Sequence, residues 1–179
     1  MFSHRHRSVP RWVDYVDEAV YGANDGIITT FAVVSGAMGG SLPSEAIIIL
    51  GLANLVADGF SMGASSFLSI RTKEAVQSNR HLFRRNVNNH AISRSLVTFG
   101  AFVVAGTVPL MPFLVDGAGE YAFAVSAAGA AITFFVVGGL RTFATKRGFF
   151  TSGMEMLTIG GIAAAIAYSI GFAAHALFV

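Results

Sequence analysis

Cysteine is absent from the sequence, which excludes disulfides, thiolate metal sites and cysteine nucleophiles. Charge is scarce. Asp, Glu, Lys and Arg make up 12% of the 179 residues, against roughly 25% in an ordinary soluble domain. There is no GxGxxG, Walker loop, HExxH or GxSxG, and nothing resembling a hydrolase triad. No catalytic site and no permanently bound cofactor are therefore expected. The basic start is followed by no early apolar region, and Asp14, Asp17, Glu18 and Asp25 interrupt it, so no signal peptide is expected. What the sequence does have is apolar residues, at 54%, with 20 Gly and 16 Phe and a mean hydropathy of +0.63. Small residues and aromatics in this abundance suit packed membrane helices. The length fits one domain.

Five apolar stretches stand out: about 19–40, 46–70, 96–115, 121–140 and 154–179. Each approaches or exceeds the roughly 20 residues that cross a bilayer core as a helix. A soluble helix this apolar, five times over, would leave no face for water. The cations then orient the chain. Arg5, Arg7 and Arg11 precede the first stretch. Arg71, Lys73, Arg80, Arg84, Arg85 and Arg94 fall between the second and third, and Arg141, Lys146 and Arg147 between the fourth and fifth. The connections Ser41–Glu45 and Asp116–Glu120 carry none. Alternate connections hold every Lys and Arg, which predicts a cytoplasmic N-terminus and an outer or lumenal C-terminus. The expected fold is an all-α integral membrane protein with five transmembrane helices. A short helix at the interface is expected over Trp12–Tyr21, and a short basic cytoplasmic loop over 71–93. The His4/His6 tract reads as a solvated basic tail.

Three acids fall at membrane depth: Asp25 in NDGIITT, Asp58 in NLVADGFSMG and Glu155 in GMEM. A carboxylate there costs roughly 2.5–3.5 kcal/mol even on a lenient insertion scale, so such residues mark a pathway or a structural pair. Asn54, Asp58 and Met62 are spaced by four, which puts an amide, a carboxylate and a thioether on one helix face. Oxygen ligands with a softer thioether suit a divalent transition metal better than Mg²⁺ or Ca²⁺. Simple gap-filling is the competing role for Met62. For Glu155 the competing role is a partner for the helix dipole. Gly22/Gly26, Gly36/Gly40 and Gly59/Gly63 have the small-xxx-small spacing of close helix contacts. The last pair predicts tight packing of the second helix near the candidate site. Thr29, Thr30, Ser61, Ser65 and Ser66 read as ordinary helix hydrogen bonders.

The runs YGANDGIITTFAVVSG, GLANLVADGFSMGASSFLS, TFGAFVVAGTVPLMPFL and MLTIGGIAAAIAYSIG resemble the vacuolar iron transporter family from about Trp12 to Gly171. The pairing of NDG with A-D-x-x-S-M-G in this order is fairly specific. The resemblance implies a homodimeric five-helix transporter that moves Fe²⁺ or Mn²⁺ out of the cytoplasm, in exchange for protons, along a path lined by the first helix. It implies that Asp25 is the essential aspartate and Met62 the methionine of the second helix. The family's acidic position falls on Asn54, a departure for which Asp58, one turn along, can supply the charge. A second departure is the missing Glu-rich cytoplasmic domain. Arg71–Ser93 is short and basic, and Glu74, His81 and His90 are its only candidate ligands.

The leading expectation is a divalent metal exporter with Asp25, Asn54, Asp58 and Met62 in the path. Glu155 and Glu74 are lesser candidates. Fe²⁺ or Mn²⁺ is cargo rather than cofactor. The expected partners are a second copy, metal ions, protons and membrane lipid, without nucleic acid. A bacterial inner membrane is expected over a vacuolar or other endomembrane. The alternative is a non-transporting membrane scaffold that keeps the fold. An intramembrane hydrolase is disfavoured, because nothing pairs His175, at the far end of the fifth stretch, with a serine.

Overall fold

The computed structural model describes residues 11–77, 86–115, 121–142 and 148–178, and all regular structure in them is helical. In chain order these are α1 (Arg11–Gly39), α2 (Ser44–Gln77), α3 (Asn86–Thr107), a 3-10 turn (Val108–Leu110), α4 (Met111–Leu114), α5 (Ala122–Leu140) and α6 (Phe149–Phe178). Among the described residues, four stretches are long and apolar enough to cross a membrane: Ser44–Lys73, Asn89–Leu114, Ala122–Leu140 and Phe149–Phe178. Only 11% of the most apolar window of α6 is buried inside the chain, and Ile162, Ile166, Ile170 and Phe172 stand exposed along it. Hydrocarbon is the solvent that tolerates such a face. The chain is an integral membrane protein.

α1 differs from these four because Asp14, Asp17, Glu18 and Asp25 all fall on it. It is instead enclosed. α3, α6, α2 and α5 all pack against it, and Ile27, Thr30, Phe31, Val34 and Ser35 are buried along its length. Phe102 and Leu110, with Ile47, Leu55, Phe134 and Met156, complete the core around this central helix.

Close approach comes from glycine, as the spacing predicts. A methyl group at Gly22 or Gly26 would run into the main-chain carbonyls of Thr98 and Phe102 on α3. A Cβ at Gly59 or Gly63 would lie 3.3 or 3.2 Å from Phe99, so α2 also leans on α3. Within a membrane such contacts hold helices together by packing, because lipid tails are as apolar as leucine.

The helices outrun the apolar stretches. α1 is continuous from Arg11, so the interfacial helix expected over Trp12–Tyr21 is its first turns. α2 continues to Gln77 and α3 begins at Asn86, so most of the loop expected over 71–93 is helix. Hydropathy registers where lipid ends. It does not register where a helix stops, and the Thr-Lys-Glu-Ala run after Arg71 holds good helix formers. Further on, Pro109 and Pro112 remove two helical donors. The chain answers with the 3-10 turn, in which the Met111 N–H reaches Val108 O, and the buried Ser126 hydroxyl donates to Pro109 O at 2.7 Å. The His4/His6 tract, the Glu74 side chain, His81 and the Asp116–Glu120 connection lie outside the described residues.

Candidate functional site

Asn54, Asp58, Met62 and Ser66 repeat every four residues on α2, and all four are half-buried. The neighbouring Leu55, Gly59 and Gly63 are buried, while Val56 and Phe60 are exposed. Three observations turn this face toward α1. Ser66 Oγ donates to Glu18 Oε2 at 3.1 Å. Met62 and Tyr21 line one cavity. The Asp58 carboxylate is near enough to Asp25 to act on it electrostatically. These contacts describe one antiparallel register: from Glu18 to Asp25 along α1 the partners run back from Ser66 to Asp58 along α2. Two like charges held across a helix interface repel, and a cation or a proton between them relieves the repulsion. One turn beyond Asp58, Asn54 buries an Nδ2 that has no hydrogen-bond partner. On α1 the Thr29 hydroxyl donates to Asp25 O at 2.9 Å, an ordinary helical back-bond.

Two cavities adjoin this interface. One, of about 470 Å³, holds Asp25 with Asp17, Tyr21, Asn24, Arg141 and Met156. The other, of about 450 Å³, holds Met62 with Asp17, Glu18, Tyr21, Ser65, Ser66 and Ser69. Asp17 and Tyr21 belong to both. Each cavity therefore offers carboxylate oxygen and one thioether. In the Asp25 cavity the thioether is Met156 of α6, which is buried. The adjacent Glu155 is exposed and is not among the lining residues. Asn24 adds an amide Oδ1 that is buried without a partner. Among the described residues no three His, Cys, Asp or Glu side chains converge on one point.

The structure also assembles a group that spacing alone did not single out. Glu18 accepts hydrogen bonds from Ser66, from Thr98 Oγ1 at 2.7 Å and from Arg94 Nη2 at 2.7 Å. Arg94, read from sequence as one of many loop cations, is a residue of α3 and ties it to α1. One signal was available: Glu18 precedes Asp25 by seven residues, two helical turns on the same face. The partner of Glu18, 76 residues away, was not readable. His90 packs edge-on to Tyr15, with ring centroids 6.0 Å apart, rather than joining the acids.

The VIT family model matches residues 16–91 and 77–172, nearly the whole chain. The chain belongs to the VIT family. Curated relatives include the vacuolar iron transporter of Toxoplasma gondii, 38% identical over 77 residues, which cover 42% of this chain and 26% of that protein. The vacuolar iron transporter of Plasmodium falciparum is 43% identical over 56 residues, covering 31% and 20% of the two chains. Vacuolar iron transporter 1 of rice is 21% identical over 225 aligned positions, covering 94% of this chain and 89% of that protein. The chain thus spans between a fifth and about a quarter of the length of the first two relatives. The rice alignment is longer than this VIT family chain itself, so the rice protein carries residues that this one lacks. The two family matches overlap at 77–91, from the end of α2 into the first turns of α3.

Proposed function

We propose that this VIT family chain moves Fe²⁺ or Mn²⁺ out of the cytoplasm in exchange for protons, with Asp25 and Asp58 as the central ligands. The observation that carries the reading is the α1–α2 register, in which the Ser66–Glu18 hydrogen bond and the cavity shared by Met62 and Tyr21 set Asp58 opposite Asp25. A divalent ion neutralises both charges at once, and protons compete for the same oxygens, so the two species alternate at one place. Met62 and Asn54, one turn to either side on α2, extend the track with a thioether and an amide. In this reading α1 is the fifth membrane span, shielded by its neighbours, with its N-terminus in the cytoplasm. Two copies form the working unit, with their α1 helices along the path.

The test is reconstitution of the full chain in liposomes with Fe²⁺ or Mn²⁺, with and without a pH gradient. Metal flux that rises with an opposing proton gradient is expected from the wild type. Asp25→Ala and Asp58→Ala are each expected to abolish it. Parental rates in both variants would remove the site assignment. A wild-type chain that carries neither metal would leave the scaffold as the better account.

A further inference from the structure

The cavity that holds Met62 contains an acid already paired with a cation. Arg94 Nη2 lies 2.7 Å from Glu18 Oε1, and the two side chains are only 20% and 14% exposed. The other Glu18 oxygen is taken by the Ser66 and Thr98 hydroxyls. A metal ion entering this space, beside Met62, Ser65 and Ser69, finds its one well-buried carboxylate occupied. Arg94 has a second seat, because its Nη1 is 3.8 Å from Asp14 Oδ2, on a side chain 41% exposed. Asp17 and Lys73 are the remaining charged groups on the cavity wall.

We propose that Arg94 is a built-in competitor for the cargo cation. The guanidinium holds Glu18 while the cavity is empty. A divalent ion takes Glu18, with Met62 and the serine hydroxyls, by displacing Arg94 onto Asp14. No covalent bond of the protein is made or broken; the charge-assisted Arg94–Glu18 pair gives way to coordination of the ion, and the guanidinium pairs with Asp14 instead. Arg94 thereby sets how much free metal is needed before the ion is admitted. It is a positioning residue for Glu18, and the inference rests on the metal path proposed above.

The test uses the purified full chain in detergent, with Mn²⁺ binding read by electron paramagnetic resonance and flux read in liposomes. Arg94→Gln is expected to bind Mn²⁺ about three- to tenfold more tightly, the scale of losing one partly screened competing charge. Its KM and its maximal rate should both fall, since a tighter ion leaves more slowly. Arg94→Lys keeps the charge and should return toward the parental affinity. Asp14→Asn, at an exposed position, removes the second seat and should weaken binding in the wild type but have no effect in the Arg94→Gln background. An affinity unchanged or weakened in Arg94→Gln overturns the proposal. Should that variant fail to fold, an unchanged affinity in Asp14→Asn overturns it equally. Wild-type flux with unchanged affinities would sink this inference alone. The expected binding pattern without flux would sink the transport reading alone.

Discussion

Ser66 on α2 and Glu18 on α1 are joined by a 3.1 Å hydrogen bond, and this contact sets the register of the candidate path. With Ser66 beside Glu18, the four-residue stripe of α2 brings Met62 to Tyr21 and Asp58 to Asp25. The polar face of α2 is thereby turned inward, away from lipid, where its cost would be highest. α3 holds the same carboxylate from the other side through Thr98 and Arg94.

Thr98 tests how much that three-helix junction contributes. Its side chain is fully buried, and its hydroxyl lies 2.7 Å from Glu18 Oε2. Thr98→Val keeps the shape and removes the donor to a charged acceptor, which costs about 1.5–3 kcal/mol. The variant should melt at a clearly lower temperature in detergent than the parent. Equal melting temperatures would mean that the junction does not hold the helices.

The Asp25–Asp58 pair should separate stability from function. Two like charges that face each other across the α1–α2 interface oppose folding, so Asp58→Asn relieves repulsion while keeping the side-chain shape. Its melting temperature should hold or rise. Metal flux in liposomes should nevertheless fall at least about tenfold, the effect of losing roughly 1.4 kcal/mol of ion binding. A variant that melts lower and transports normally would assign Asp58 to structure.

Gly26 and Gly100 should respond in opposite directions to the same added methyl. At Gly26 the methyl meets the Phe102 main chain, which cannot step aside. Gly26→Ala should destabilise by about 1–3 kcal/mol, as overpacking does. At Gly100 nothing stands within 4 Å of the added carbon. Gly100→Ala should therefore be neutral or stabilise by up to about 1 kcal/mol through helix propensity. Thermal unfolding of the two variants side by side is the measurement.

The sequence made the apolar helices, the glycine contacts and the face shared by Asn54, Asp58 and Met62 legible, because each is a short-range periodic signal. Asp25 was legible as an acid in an apolar run, but its place opposite Asp58 depends on a register that only the fold supplies. The Glu18–Arg94 pair was hidden for the same reason. Its members sit at the polar ends of their helices, where charge is unremarkable, and the pairing spans 76 residues. Met156 was legible only as one of the two Met residues that flank Glu155. The acid drew attention as the unusual residue, yet helix rotation buries Met156 and exposes Glu155.

The end of α1 offers a test that leaves the path untouched. Leu42 N–H bonds to Ala37 O at 2.9 Å and Ser41 N–H to Met38 O at 3.0 Å, the paired pattern that closes a helix on a left-handed residue. That residue is Ser41, with φ at 55°. An L side chain there crowds the following carbonyl at a cost of roughly 1–2 kcal/mol, which glycine avoids. Part of that gain is offset by the extra freedom of glycine in the unfolded chain. Ser41→Gly should therefore stabilise the protein by about 1 kcal/mol, seen as a higher melting temperature with unchanged metal flux. Ser41→Val should do the reverse, because a β-branched residue fits this conformation worst. If both variants melt together with the parent, the turn after α1 opens without cost, and the α1–α2 register is held by the Glu18 junction and the glycine contacts alone.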